Sequence, residues 1–339
     1  MEAPGEKLIN KLWDTIADKG IASLLKPWQM RREGRATIDL RREEMLAIAQ
    51  AELDVDAIRK GEKLLLPNGD LVTLPTPIAQ DIIQIEAEPP QLAIPYIADV
   101  ADRNSKIEDA RKEIALAKAV LHAEEELKSD TEEPSEDSLS DDWLLRWRDC
   151  AASVSSEELQ SLWGKVLAGE IKSPGRYSLR TLEFLRNLEQ HEAKAIEKIS
   201  PFVVNGFIFR GNDSVLEDEG VRFGDLLSMQ EIGVLAGVDT LGLQVKWQSM
   251  NPETFEQVLT SHGKLLHITA DDPSKTLSLK VCSVTAMGKQ ILKLGTFQPN
   301  EKMLLAIAET IKGMGFQVEI GRYIPIDENQ IRTFDLQSV

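Results

Sequence analysis

The sequence predicts an α+β protein, predominantly α, with helical N-terminal and central units and a small winged-helix-like α+β domain at the C-terminus. Three observations predict it. Apolar residues recur at helical spacing through most of the first 200 residues. Short alternating runs that suit strands gather after residue 201, apart from one early hairpin. The chain of 339 residues is 42% hydrophobic, enough for two or three cores, and no internal repeat of fixed period divides it.

Residues 1–128 form the helical N-terminal region. Leu8, Ile9, Leu12, Trp13, Ile16 and Leu24 follow helical spacing over 6–25, and Gly20 interrupts the run. A helix rich in Ala, Glu and Met is expected over 37–60. Asn68-Gly69 between apolar runs predicts a hairpin near 64–74, because both central residues of such a turn need positive φ. Pro75, Pro77, Pro89, Pro90 and Pro95 then forbid one long helix and imply an irregular crossover. Helix resumes over 99–128. Its seam of Ile107, Ala110, Ile114, Ala117 and Leu121 spans about two heptads, too short to name a coiled coil, so packing within its own domain is expected.

Residues 129–140 read as an acidic linker. Asp130, Glu132, Glu133, Glu136 and Asp137 repel one another and have little apolar surface on which to collapse. Residues 141–200 read as a central unit of about four short helices. Trp143 and Trp147 share one helix face. Ser155 and Glu158 fit a capping box that opens a helix burying Leu159, Leu162, Trp163, Val166 and Leu167. Pro174-Gly175 makes a turn before helices carrying Leu179, Leu182, Leu185 and Leu188, then Ala193, Ile196 and Ile199. From 201 to 339, strands are expected at 207–209, 243–247, 265–269, 277–281 and 316–320. Helices are expected near 224–235, 286–294 and 300–314.

Bulk composition narrows the function. A net charge of −17 disfavours diffuse binding to phosphate backbones. Two distant cysteines, Cys150 and Cys282, do not make a secreted disulfide framework. The first residues lack the basic and apolar regions of a signal peptide. No run reaches the ~18 apolar residues that suggest an integral membrane segment. The cytoplasm is the expected compartment.

The stretch from Trp143 to Phe202 resembles an uncharacterised bacterial family, domain of unknown function 2806. The resemblance rests on Asp142-Trp143, on Leu162-Trp163-Gly164-Lys165-Val166-Leu167-Ala168-Gly169-Glu170 and on Ser178-Leu179-Arg180-Thr181-Leu182. It implies a bacterial source and a fold, and no activity. A weaker likeness links the chain to helical abortive-infection proteins used against phage.

Catalytic motifs are not apparent. There is no Walker loop, no glycine fingerprint after a strand and no Gly-x-Ser-x-Gly elbow. His262 and His267, the closest histidine pair, do not suggest a converging zinc set. No catalytic residue, metal or cofactor is therefore assigned. Glu170, Arg176 and Arg180 flank one turn, either as a polar site or as an ion-pair clasp on that turn, the clasp being favoured. Lys26, Trp28, Arg31, Arg32 and Arg35 form the most basic stretch, a candidate partner-binding patch.

The expected function is a non-enzymatic interaction, sensor or scaffold protein of the bacterial cytosol with a link to phage defence. It would act on a protein partner or by self-association. The alternatives are a nucleic-acid-binding regulator using the C-terminal domain, with Lys280, Lys289 and Lys293, and an enzyme whose site assembles from distant segments. Reversing Arg31, Arg32 and Arg35 to Glu tests the basic patch. A binding patch predicts an unchanged melting curve and loss of a salt-sensitive interaction. Pairing with the protein's own acids predicts a lower melting temperature and no separate binding phenotype.

Overall fold

The computed structural model describes residues 5–21, 37–66, 70–74, 94–130, 132–239, 243–249, 251–326 and 330–339. Lys26, Trp28, Arg31, Arg32 and Arg35 lie outside them, as do Leu24, Asn68-Gly69 and the prolines from Pro75 to Pro90. The α+β class with helix predominating holds. The chain divides into two compact units, Met1–Leu182 and Glu183–Val339.

The first unit is built around one helix. In chain order its elements are α1 (Glu6–Asp18), α2 (Thr37–Arg59), β1 (Lys63–Leu65), β2 (Leu71–Thr73), α3 (Ile94–Leu127), α4 (Asp141–Ala152) and α5 (Glu157–Lys172). Helix α1 ends seven residues earlier than the apolar spacing suggests. Gly20 takes φ +61, Gly20 N–H bonds to Ala17 O and Ile21 N–H bonds to Ile16 O. That is a Schellman stop, sealed by buried Ile16 and Ile21. The hairpin forms as expected, with Leu65 opposite Leu71 and Leu64 opposite Val72.

Helix α3 starts earlier than expected and carries Pro95 in its first turn, where a missing N–H costs no helix bond. Its second half is buried on nearly every side: Ile114, Ala115, Leu116, Ala117, Ala119, Val120, Leu121, Ala123 and Leu127. Of the two-heptad seam, Ile114, Ala117 and Leu121 are buried in the core, while Ile107 and Ala110 are only half-buried. Helices α1, α2, α4 and α5 all pack on α3. Closest is α5, because Gly164 has no side chain. A Cβ there would stand 2.5 Å from His122 Cβ and 2.9 Å from Ala119 O.

The tryptophans bind helices together through their indole N–H groups as well as their area. Trp147 Nε1 donates to Trp163 O at 3.0 Å, and Trp143 Nε1 donates to Tyr177 O at 2.7 Å. All three tryptophans are buried. The N-cap of α5 is Ser156, accepting from Leu159 N, one residue later than the Ser155 box expected from sequence, and Leu159 is exposed.

The acidic segment 129–140 lies inside the first unit rather than between units. Lysines from elsewhere in the unit hold it. Lys7 pairs with Glu133 at 2.8 Å, Lys11 donates to Ser135 O and Asp137 O, and Lys172 pairs with Asp130. Burial pushes the Asp130 carboxyl up, but Lys172 and the Glu132 N–H outweigh it and hold Asp130 below the usual range.

Helix α6 (Leu179–Asn187) crosses the unit boundary. The second unit continues with α7 (Gln190–Ile199), β3 (Val203–Val204), β4 (Phe207–Phe209), α8 (Asp213–Asp218), α9 (Phe223–Glu231), β5 (Leu235–Ala236) and β6 (Leu243–Trp247). It ends with β7 (Phe255–Ser261), β8 (Lys264–Ala270), β9 (Leu277–Val284), α10 (Ala286–Leu292), α11 (Glu301–Gly313), β10 (Gln317–Pro325) and β11 (Ile331–Ser338). Two antiparallel sheets form. One is ordered β11-β10-β8-β7. In the other, β9 pairs β4 on one edge and both β5 and β6 on the opposite edge. The β content exceeds the small sheet expected. Leu259, Leu266, Ile268 and Val318 share the core with Met303, Leu304, Ile307 and Ile311 of α11.

Trp163 is 1% exposed. Trp163→Ala should destabilise the protein by roughly 3–5 kcal/mol through lost burial and a cavity, measured by denaturant unfolding. A change within about 0.5 kcal/mol would be that of a surface position.

Candidate functional site

The turn after α5 brings together part of the polar cluster read from sequence. Gly175 takes φ +84, which frees its N–H to donate to Glu170 Oε1 at 2.6 Å. Tyr177 N–H donates to Glu170 Oε2 at 3.0 Å. Burial raises the Glu170 pKa above the usual carboxylate range, against these donors and the nearby Arg176 charge. Arg176 lies over the Tyr177 ring at 5.9 Å, and its Nε is buried with no hydrogen-bond partner. Arg180 is exposed on α6 and makes no ion pair with Glu170. Glu170 thus clasps the turn through backbone N–H groups, not through the two arginines. Gly169 makes room, since a Cβ there would meet the Tyr177 ring at 2.7 Å.

A second polar cluster went unread in the sequence. On β8, His267 stands directly across from Glu319 of β10. Its Nδ1 lies 3.1 Å from Glu319 Oε2 and its Nε2 lies 3.1 Å from Glu256 Oε1 of β7. Burial lowers the His267 pKa, but Glu319 and Glu256 outweigh it, so the ring titrates above its ordinary value. Strand pairing over a separation of 52 residues creates this contact, and no local motif announces it. His262 has a different task. It takes φ +44 in the two-residue His262-Gly263 turn that joins β7 to β8, and Nε2 lies 2.9 Å from Ser200 O. Among the described residues, no group of three or more His, Cys, Asp or Glu is placed to hold a metal ion.

The third feature is apolar. Ile48, Val55 and Ile58 face inward from α2, while Leu46 and Leu53 are 61% and 65% exposed. At 100° per residue, Leu46 and Leu53 lie roughly 160° around the helix from Ile48 and Val55. Beside this helix, the hairpin exposes Leu65, Leu71, Val72 and Leu74. In the hairpin Leu65 and Leu71 share one face of the ribbon and Val72 points to the other. The sequence signal was a helix apolar on two faces, with Leu46 and Leu53 seven residues apart.

Residues 100–207 match the model of a family of unknown function, DUF2806. The match runs from within α3 to the start of β4, and so takes in the α3–α5 crossing, the tryptophan bonds and the Glu170 clasp. No curated protein and no solved structure matches the chain. Among the described residues, no helix is long and apolar enough to cross a membrane.

The His267 cluster predicts a pH dependence. A pKa raised on folding means that protonated His267 adds stability, complete below about pH 6.5 and lost as pH rises through the folded pKa. His267→Gln should abolish that decline. Thermal melts from about pH 6 to pH 9 check it as the difference between variant and wild type; parallel curves would remove the effect.

Proposed function

We propose that this is a non-enzymatic interaction protein, in a sensor or scaffold role, that docks a protein partner on the outer face of α2 and the hairpin. One observation carries the proposal: α2 exposes Leu46 and Leu53, and the hairpin that packs against that helix exposes Leu65 and Leu71 on one face of its ribbon. Burying such surface yields about 25 cal/mol per Å². The net charge of −17 favours a partner with a basic rim over a second copy, because like-charged copies repel. The bacterial cytosol is the proposed setting, supported by two free, buried cysteines and the family resemblance. A role in phage defence belongs to the same proposal and rests on the weaker sequence likeness alone.

The nucleic-acid reading has less support. Helix α10 is seven residues long and carries one lysine, Lys289. Lys280 and Lys293 are exposed beyond its two ends.

Leu46→Glu tests the proposal. The variant should melt within about 0.5 kcal/mol of wild type in stability, as an exposed position does. It should lose a partner that wild type retains at defined stoichiometry after crosslinking in cells. Equal retention by both proteins would refute this docking face. A wild-type mass of two chains, reduced to one by Leu46→Glu, would make the occupant a second copy.

A further inference from the structure

An open sheet edge is a template for another chain, and proteins guard such edges. Two edges of the second unit are guarded. Along β11, Asp335 takes φ +58 at a bulge that breaks the register with β10 between Ile320 and Arg322. Such a bulge twists an edge away from further pairing. On β7, Thr260 O accepts from Asn205 N–H at 2.7 Å, and Ser261 Oγ donates to Val203 O at 2.9 Å. Strand β6 has neither device. It pairs with β9 in unbroken register from Leu243 to Trp247, and among the described residues no strand pairs with its other edge.

The register fixes which groups that edge offers. Arg210 N–H donates to Lys280 O and Val284 N–H donates to Gly206 O, so the even-numbered residues of β9 address β4. Thr285 N–H donates to Val234 O, so odd-numbered residues address the side of β5 and β6. Leu243, Val245 and Trp247 stand opposite Val281, Leu279 and Leu277, and these three bond to β9. The N–H and C=O groups of Gln244 and Lys246 therefore point away from the sheet.

The two faces of β6 define the side chains of an added strand. Leu243, Val245 and Trp247 lie on the face where Leu277 and Val281 are fully buried, yet Leu243 is 43% exposed and the other two are half-buried. An added strand would continue that apolar face. On the opposite face Gln244, Lys246 and Lys280 are exposed. Lys246 stands opposite Ser278 and so diagonal to Lys280, a spacing of roughly 7–8 Å. Neither lysine makes an ion pair among the described residues. In a chain of net charge −17, two neighbouring positive charges are left without a carboxylate between them.

We propose that β6 takes an extended segment of a partner protein as one further strand, a segment whose residues alternate between apolar and acidic. Its backbone pairs with Gln244 and Lys246. Its apolar side chains cover Leu243, Val245 and Trp247, and its carboxylates meet Lys246 and Lys280. Strand addition of this kind draws affinity from main-chain bonds and specificity from alternate side chains. A second copy fits less well. The register that uses all four outward groups sets Lys246 opposite the Gln244 of that copy and supplies no counter-charge. The proposal does not rest on the docking face of α2.

The test is fluorescence anisotropy of two blocked, labelled peptides, Val-Glu-Val-Glu-Val-Glu-Val and Val-Lys-Val-Lys-Val-Lys-Val, titrated with the full chain. The glutamate peptide should bind saturably, and the lysine peptide roughly tenfold or more weakly. Lys246→Pro removes an outward N–H and no bond to β9, a change that edge strands tolerate. It should keep the melting transition and bind the glutamate peptide roughly tenfold or more weakly. The double variant Lys246→Glu, Lys280→Glu changes exposed side chains alone. It should fold normally and exchange the preference, taking the lysine peptide over the glutamate peptide; it decides the matter if Lys246→Pro unfolds. The proposal is overturned if wild type does not bind the glutamate peptide or binds both peptides alike. It is equally overturned if folded Lys246→Pro binds as wild type does, or if the double variant keeps the wild-type preference. A wild-type mass of two chains, reduced to one by Lys246→Pro, would also overturn it by giving the edge to a second copy.

Discussion

Helix α5 meets α3 nearly backbone to backbone because residue 164 carries no side chain. The would-be Cβ of Gly164 falls on His122 Cβ, Ala119 O and Ala123 N, atoms that cannot swing aside. Other features of the first unit follow from that approach. With α5 this close, the inner half of α3 is enclosed on nearly every side and reads Ile-Ala-Leu-Ala-x-Ala-Val-Leu, small residues interleaved with large. Small residues admit neighbouring helices and large ones fill the space between, which is how close-packed interiors reach their density. The neighbouring Trp163 turns its carbonyl to Trp147, tying α4 to the same crossing. Next to Gly169, the Glu170 clasp fixes the chain as it leaves α5.

Local chemistry made much of this legible. The pairing of Lys63–Leu65 with Leu71–Thr73, the helices of the central region and the burial of the three tryptophans all follow from short-range pattern. Failures occurred where a distant group decides. The acidic stretch from Asp130 to Asp137 has the composition of a linker, yet Lys7, Lys11 and Lys172 bind it to the first unit. Strand β7 escaped notice because its turn is His262-Gly263 rather than Asn-Gly, although His tolerates positive φ better than most residues. Ser155 and Ser156 are both competent caps, and local sequence does not choose between them. Glu170 was legible as a clasp, but its partners proved to be backbone N–H groups, which carry no sequence signature.

The proposed sites draw on different parts of the chain. The family match covers α5 and all but the first residues of α3; α2, which carries the exposed leucines, lies outside it.

The backbone approach at Gly164 is the claim on which this account stands, and Gly164→Ala tests it by sign. In an unobstructed helix interior, replacing Gly by Ala stabilises by about 0.5–1 kcal/mol. Here the added methyl meets atoms that must shift, so chemical denaturation should show a loss of stability, of about 1–3 kcal/mol for overpacking. A Gly164→Ala protein more stable than wild type by about 1 kcal/mol would contradict the crossing, and with it the arrangement of α3, α4 and α5 described above.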